Sequence, residues 1–159
     1  MELTYYTDYA LRVLVYAGLR PEKRCLISEI AEHYEISENH LMKVVHGLAK
    51  AGFMTTFRGK GGGLTLAKDP KDIIIGAVVR RMEGPFKPVE CFRSGNRCAI
   101  SGACNLPDIL GEAFQAFIAV LDRYSLADLL ERRGQLSRHL FGAARNRNAR
   151  RINPPPVRV

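Results

Sequence analysis

Three cysteines lie close together in a glycine-rich stretch of the chain: Cys91, Cys98 and Cys104. The stretch follows two prolines, Pro85 and Pro88, so it is predicted to be a loop rather than a regular element. Thiolates crowded on one loop suit a soft metal ion or an iron–sulfur cluster. The C-x6-C-x5-C spacing lacks the C-x2-C pairs of zinc ribbons and fingers, which argues against structural zinc. It also leaves a tetrahedral site or a cubane cluster one ligand short.

Three interpretations of this cysteine loop remain open from the residues alone. They are an iron–sulfur cluster held by the three thiolates and one other ligand, zinc held by the same set, and a thiol redox switch without metal. An acid could supply an oxygen ligand, and the candidates are Glu83, Glu90, Asp108 and the more distant Asp8. A cluster with one non-thiolate ligand suits a sensor, because small molecules can attack that iron. The fourth cysteine, Cys25, stands apart and is expected to be a small structural hydrophobe.

The net charge of +8 is concentrated at one end of the 159-residue chain. Six arginines follow residue 137, and no acid does: Arg138, Arg145, Arg147, Arg150, Arg151 and Arg158. The body of the protein is therefore nearly neutral, and nucleic-acid binding has to be argued from local patterns. The segment 134–159 is rich in Arg and Asn and contains a proline run, so we expect a disordered basic tail. Such a tail either adds non-specific attraction to phosphates or is solvated without a specific role.

The length suits one compact domain with an appendage, or a domain that completes its core by dimerising. The N-terminus has no basic region followed by an apolar run, and no apolar run is long enough for a membrane span. Four cysteines without an export signal favour a reducing cytoplasm. The sequence places no histidine beside the cysteine loop and marks no pair of acids by its setting, so we expect the protein not to be an enzyme.

Two successive helices with a short turn between them form the first recognisable unit. Ser28 opens a short amphipathic helix, and Ser37 caps a longer one over 38–50 that closes at Gly52. Helices joined in this way make the helix-turn-helix pattern, in which the second helix reads DNA.

A β-hairpin is predicted directly after this unit. Two short runs, 53–57 and 64–67, are apolar or β-branched and flank a glycine-rich turn that carries Arg58 and Lys60. A hairpin in this position is the wing of a winged-helix domain. Its basic tip suits phosphates or a minor groove. The glycines match neither common nucleotide-binding motif, so we discount a nucleotide site.

The remaining helices are predicted on either side of the cysteine loop. Thr7 caps a first helix over 8–19, and another helix covers 72–83. A long helix begins at Pro107 and runs through DILGEAFQAFIAVLDRYS, and Ser125 caps a last short one. The apolar stripe of the long helix is so broad that we expect it to pair with its copy in a homodimer.

The predicted fold is mainly α with a small β-hairpin wing, a winged helix-turn-helix domain followed by a long dimerisation helix. Its expected segments are a DNA-binding domain at 1–83, a cysteine-rich cluster-binding loop at 84–106, a dimerisation helix with a short C-terminal helix at 107–133, and the basic tail at 134–159.

The predicted DNA contacts lie on the helix-turn-helix and the wing: Ser28, Ser37, Asn39, His40, Lys43, Arg58 and Lys60. Asn39 can read adenine through two hydrogen bonds in a major groove, and His40 and Lys43 can reach bases or phosphates. These residues taken alone could equally be a solvated helix face, and the winged helix of a metal-binding or redox protein could contact protein instead. The turn, the wing and the dimer helix together favour DNA.

Several segments carry a family resemblance, in order and with small gaps: LTYYTDYALR, ISENHLMKVVHGLAKAGFM, RGKGGGLTLAKDP, IIIGAVVRRME, the three loop cysteines and LDRYSLADLL. Over about residues 1–133 the chain resembles the NsrR-type nitric-oxide-sensing repressors, within the winged-helix iron–sulfur regulators that include IscR and RirA. The basic tail is not part of the family pattern.

The resemblance implies a homodimer that represses transcription while it holds a 4Fe–4S cluster in each subunit, with 2Fe–2S the less favoured form, and that leaves its operator when nitric oxide destroys the cluster. Cys91, Cys98 and Cys104 match the family's ligands, and Asp8 matches an N-terminal acid that can serve as the fourth ligand across the dimer. A regulator of iron or iron–sulfur status, of the IscR or RirA kind, is the alternative.

Overall fold

The computed structural model describes residues 2–85 and 87–152. The described residues form seven α-helices and one two-stranded sheet: α1 (Tyr5–Leu19), α2 (Ile27–Tyr34), α3 (Glu38–Lys50), β1 (Met54–Phe57), β2 (Gly63–Leu66), α4 (Ile75–Glu83), α5 (Leu106–Leu121), α6 (Leu126–Leu129) and α7 (Arg133–Ile152). The prediction of a mainly helical fold with a hairpin wing is confirmed. No helix in the described ranges is both long and apolar enough to cross a bilayer.

The first helix is the centre of the core. Its inward face carries fully buried Ala10, Val13, Leu14 and Tyr16, which pack against α3, α4 and α6. The helix begins three residues earlier than predicted, because its N-cap is Thr4, whose side chain accepts the amide of Thr7. Thr7 lies inside the helix and is fully buried, so its hydroxyl serves a tertiary contact instead of a cap.

The helix-turn-helix forms as the sequence predicts. Ser37 caps α3, with its Oγ accepting the amide of His40 at 3.3 Å, and the apolar stripe Leu41, Val44, Val45 and Leu48 is buried. Helix α2 begins at Ile27, one residue before the predicted Ser28. The chain leaves α3 through Gly52, whose φ of +76° is the left-handed conformation that ends helices.

The wing pairs in antiparallel register, with Met54 opposite Leu66 and Phe57 opposite Gly63. A short bridge adds a third segment to it: the amide of Cys25 donates to the Leu64 carbonyl at 2.9 Å, and the Leu64 amide donates back at 2.8 Å. Cys25 is fully buried at this junction, and burial raises the pKa of its thiol. Its expected structural role therefore agrees with its position at the base of the wing.

Helix α4 lies between α1 and α5. The predicted helix over 72–83 is divided, because a 3-10 turn at Pro70–Asp72 precedes a short extended link before α4. This link pairs with the segment that follows α5. The Leu126 amide donates to the Ile73 carbonyl at 2.8 Å, and the Ile75 amide donates to the Tyr124 carbonyl at 2.9 Å. This bridge fixes the end of α5 beside the start of α4.

The C-terminal region differs from its prediction. Residues 134–152, expected to be disordered, belong to α7, whereas 153–159 lie outside the described residues. Leu136, Leu140 and Phe141 pack against the core, and the guanidinium of Arg20 lies 4.2 Å from the Phe141 ring centroid. The arginine-rich composition of the segment concealed these apolar side chains at helical spacing, which bind its first half to α1 and α2.

A substitution at Gly76 tests the close approach of α4 to the end of α5. An added Cβ there would overlap the Asp122 carboxylate and lie 3.0 Å from the Asp122 backbone nitrogen. Arg80 donates two hydrogen bonds of 2.8 Å to that carboxylate, which hold the pKa of Asp122 below its ordinary value. We expect Gly76→Ala to lower the free energy of unfolding by about 1–3 kcal/mol, because overpacking forces the backbones apart.

Urea denaturation at fixed protein concentration measures this change. Gly134→Ala in α7 is the matched control, since nothing lies within 4 Å of an added Cβ there. The control should be neutral or stabilising, by up to about 1 kcal/mol. Equal midpoints for Gly76→Ala and the wild type would contradict the close packing at this position.

Candidate nucleic-acid interface and cysteine loop

The predicted DNA contacts are all solvent-exposed: Ser28, Ser37, Asn39, His40, Lys43, Arg58 and Lys60. Ser37 caps α3, and Asn39, His40 and Lys43 lie in its N-terminal half. Ser28 lies in the first turn of α2, and the two wing cations lie at the hairpin tip. The opposite face of α3 is buried, so the helix presents one polar face outward. This arrangement suits groove recognition by a helix with backbone contacts from the wing.

Tyr6 holds the N-terminal part of α1 against α3, a contact that sequence reasoning missed. Its hydroxyl donates to the backbone carbonyl of Lys43 at 3.2 Å. Its ring lies over Gly47, where an added Cβ would overlap the Tyr6 oxygen. A glycine inside a helix often marks such a close approach, so Gly47 was the available signal.

The cysteine loop connects α4 to α5 and carries three free thiols. Cys98 is exposed, whereas Cys91 and Cys104 are half-buried. The loop is held by short-range hydrogen bonds: Glu90 Oε1 accepts the Arg97 amide at 3.0 Å, and Cys98 donates its amide to the Asn96 side chain at 2.9 Å. Unlike Cys25, none of these sulfurs belongs to the hydrophobic core.

The donor chemistry of this loop fits a thiolate-bound metal group. Three free thiols lie on one short segment outside the core, which is the ligand type that iron–sulfur clusters and soft metals take. Within 2–85 and 87–152, no three side chains among His, Cys, Asp and Glu are close enough together to hold a metal ion. The three thiols of the loop therefore do not form a compact metal site within the described part of this chain, and no fourth side chain there lies with them in such a group.

Asp8, the acid predicted as a fourth ligand, lies in the first half of α1 and is half-buried. Arg12, one turn further on, binds both of its oxygens, with Nη2 at 2.7 Å from Oδ2 and Nε at 3.0 Å from Oδ1. This ion pair holds the carboxylate on the helix surface. A contribution from Asp8 to another subunit stays a prediction.

Glu83, another acid considered as a ligand, is engaged elsewhere. Its carboxylate accepts the Thr4 amide at 3.0 and 3.1 Å, the Thr4 hydroxyl at 2.9 Å, and the hydroxyl of buried Thr7. Glu83 is the last residue of α4, directly before the cysteine loop. It therefore ties the beginning of the loop to the beginning of α1.

One face of α5 is apolar and uncovered. Of its sixteen residues, all within the described range, only Ile118 is buried, and it packs with Ile75 and Val79 of α4. On the other side Leu106, Ile109 and Val120 expose 45, 61 and 44% of their surface. Exposed apolar stripes of this kind mark protein–protein contacts.

Comparison with known proteins agrees with this architecture. Residues 3–132 match the Rrf2 family model, described as an iron-dependent transcriptional regulator. The HTH-type transcriptional regulator NsrR of Bacillus subtilis is 49% identical over 142 residues, which cover 88% of this chain and 97% of the relative. The NsrR of Geobacillus kaustophilus is 51% identical over 138 residues, covering 86% and 94%.

A solved structure of IscR from T. potens is similar as well. It has a TM-score of 0.66 and 25% sequence identity, and the match covers 82% of this chain and 87% of the IscR chain.

Proposed function

Because the chain belongs to the Rrf2 family of transcriptional regulators, and is not an enzyme, we propose that it is a homodimeric operator-binding repressor that senses nitric oxide through a 4Fe–4S cluster. The observation that carries the DNA-binding part is the outward polar face of α3, followed by an exposed basic wing. The observation that carries the sensing part is the group of three free thiols on a loop outside the core. A protein that depends on reduced thiols belongs in the cytoplasm.

The second copy of the chain is expected to cover the exposed face of α5. Leu106, Ile109 and Val120 lie along one side of this helix, and a partner helix would remove them from water. A two-fold dimer would also present two α3 helices to the two half-sites of an operator, whose centres lie about 34–36 Å apart.

Cys91, Cys98 and Cys104 would hold the cluster, and Asp8 of the other subunit would complete its ligands. When bound, such a cluster supplies an iron with a non-thiolate ligand, which small molecules such as nitric oxide can reach. A regulator of iron status, of the IscR kind, is the second candidate, and the family description as iron-dependent favours it. Loss of operator binding on exposure to nitric oxide separates the first candidate from the second.

The chain's own contacts offer a route from the loop to α3. Glu83 fixes the start of α1 to the end of α4, where the loop begins. Tyr6, on the same part of α1, fixes α1 to the backbone of α3. A movement of the loop or of Asp8 therefore changes the placement of α3, and with it the spacing of the two reading helices, without unfolding either one.

Single Cys→Ala variants test the cluster ligands. We expect the Cys91, Cys98 and Cys104 variants to lose most bound iron and acid-labile sulfide, because each leaves only two thiolates. Cys25→Ala is the control and should keep both, since Cys25 is buried at the base of the wing. Iron and sulfide assays on anaerobically purified protein measure this. Retention of the cluster in any loop variant, or zinc without sulfide in the wild type, would contradict the assignment.

Asp8→Ala tests the fourth ligand. The variant should remain dimeric, but its operator affinity or its response to nitric oxide should change. Arg12→Ala is the matched control, because it breaks the same ion pair and leaves the carboxylate in place. Gel shifts before and after nitric oxide measure both variants. If Arg12→Ala reproduces every effect of Asp8→Ala, the ion pair explains them, and Asp8 is not the ligand.

Asn39→Ala and Arg58→Ala test the two kinds of DNA contact. Loss of a base contact by Asn39→Ala should cost about 1–3 kcal/mol of discrimination between operator and unrelated DNA. Loss of a phosphate contact by Arg58→Ala should weaken both alike and reduce the salt slope of binding by about one. Arg123→Ala, which removes an exposed cation after α5, should change neither. An unchanged affinity and salt slope for Arg58→Ala would remove the wing from the interface.

A further inference from the structure

The wing tip has little intrinsic order. Gly59, Gly61, Gly62 and Gly63, the last of which begins β2, leave Lys60 as the one residue of 59–63 with a side chain. Gly59, Gly61 and Gly63 take φ values of +79, +81 and +140°, which only glycine adopts readily. Such a segment loses much conformational entropy when it is held in one shape. Arg58 and Lys60, the two cations of the tip, can therefore take defined positions against DNA only if another contact holds the tip in one conformation.

Arg24 makes the contact that holds the tip. Its Nη1 donates to the backbone carbonyl of Gly61 at 2.9 Å, and its guanidinium carbon lies 3.9 Å from the ring centroid of Phe57, the last residue of β1. The two contacts join the middle of the tip to the strand that enters it. A planar guanidinium can stack and donate at the same time, which a lysine ammonium cannot reproduce.

The backbone next to Arg24 is fixed to the wing. Cys25 pairs with Leu64 of β2 through hydrogen bonds of 2.9 and 2.8 Å. Gly63 makes this approach possible, since a Cβ there would lie 2.9 Å from the Cys25 carbonyl oxygen and 3.1 Å from Arg24 Cβ. The guanidinium is thus anchored at its base by the sheet.

We propose that Arg24 is a positioning residue for DNA binding, which holds the wing tip in the conformation that presents Arg58 and Lys60 to the DNA backbone. The inference rests on the proposed function and adds a residue outside the wing and outside α3 to the DNA-binding machinery. It acts through Gly61 and Phe57, so removal of the Phe57 ring should have the same consequence as removal of the guanidinium.

A first experiment needs no DNA. Trypsin cleaves after Arg58 and Lys60, and cleavage of a folded protein follows the population of the open segment. We expect Arg24→Ala and Phe57→Leu to speed the initial cut at these two sites about fivefold, as judged by mass spectrometry. Lys23→Ala is the matched control, because Lys23 binds Glu29 and not the tip, and it should leave the rate unchanged. Thermal unfolding confirms that all variants are folded.

A second experiment measures operator affinity against salt concentration. Phe57→Leu keeps every charge, so it should weaken binding about tenfold with an unchanged salt slope, whereas Arg58→Ala lowers the slope by about one. Arg24→Lys should behave like Phe57→Leu, because it keeps the charge and loses the stack. Adding Arg58→Ala to Arg24→Ala should cost less than the two separate losses combined, since without Arg58 the clamp has less of the tip contact to support.

The outcomes separate this inference from the proposed function. Unchanged tip cleavage in Arg24→Ala and Phe57→Leu would overturn the clamp, whatever DNA does. Faster cleavage with unchanged operator affinity would overturn its role in DNA binding. Wild-type protein that binds no operator would overturn the proposed function and the DNA part of the inference together, while the cleavage rates would still decide the clamp.

Discussion

The interaction on which the architecture depends is the capture of the α1 N-terminus by Glu83. A single carboxylate accepts the Thr4 amide, the Thr4 hydroxyl and the hydroxyl of buried Thr7. Hydrogen bonds to a charged acceptor are stronger than neutral ones, and the Thr4 amide is one of the backbone donors that a helix start leaves without a partner. Because α1 is the central helix of the core, this contact fixes where α3, α4 and the cysteine loop lie relative to one another.

The four cysteines fall into two groups, one buried thiol in the core and three accessible thiols on the loop. Cys25 is fully buried at the base of the wing. Burial raises the pKa of its thiol, so the thiol stays neutral at ordinary pH. The other three thiols lie on a segment held by local hydrogen bonds from Glu90 and Asn96. Because these bonds are local, such a loop can rearrange around a metal group without unfolding the core.

The features that were predicted correctly are those that depend on residues close together in the sequence. The Ser37 cap, the stripe from Leu41 to Leu48 and the glycine-rich hairpin depend on neighbours in sequence, and each was predicted correctly. The cap of α1 was misplaced because Thr4 and Thr7 both precede an apolar run. In the fold, the Thr4 side chain accepts the Thr7 amide, and Thr7 is buried inside the helix. Helix α7 was missed because its composition is that of a tail. The positions of Tyr6, Glu83 and Arg24 depend on contacts between distant segments, which no spacing pattern encodes.

Because little of α5 is buried within one chain, the proposed dimer would link the stability of this protein to its concentration. Within one chain this helix of sixteen residues fully buries only Ile118, with Phe114, Phe117 and Leu121 partly buried beside it, and its other face stays in water. In the proposed homodimer, association would supply the remaining stabilisation, and it would strengthen by mass action as copies accumulate. A cell that holds few copies of such a dimer-forming chain would then keep a larger share of it partly folded and open to proteases, so that the level of synthesis would help to set the amount of competent regulator.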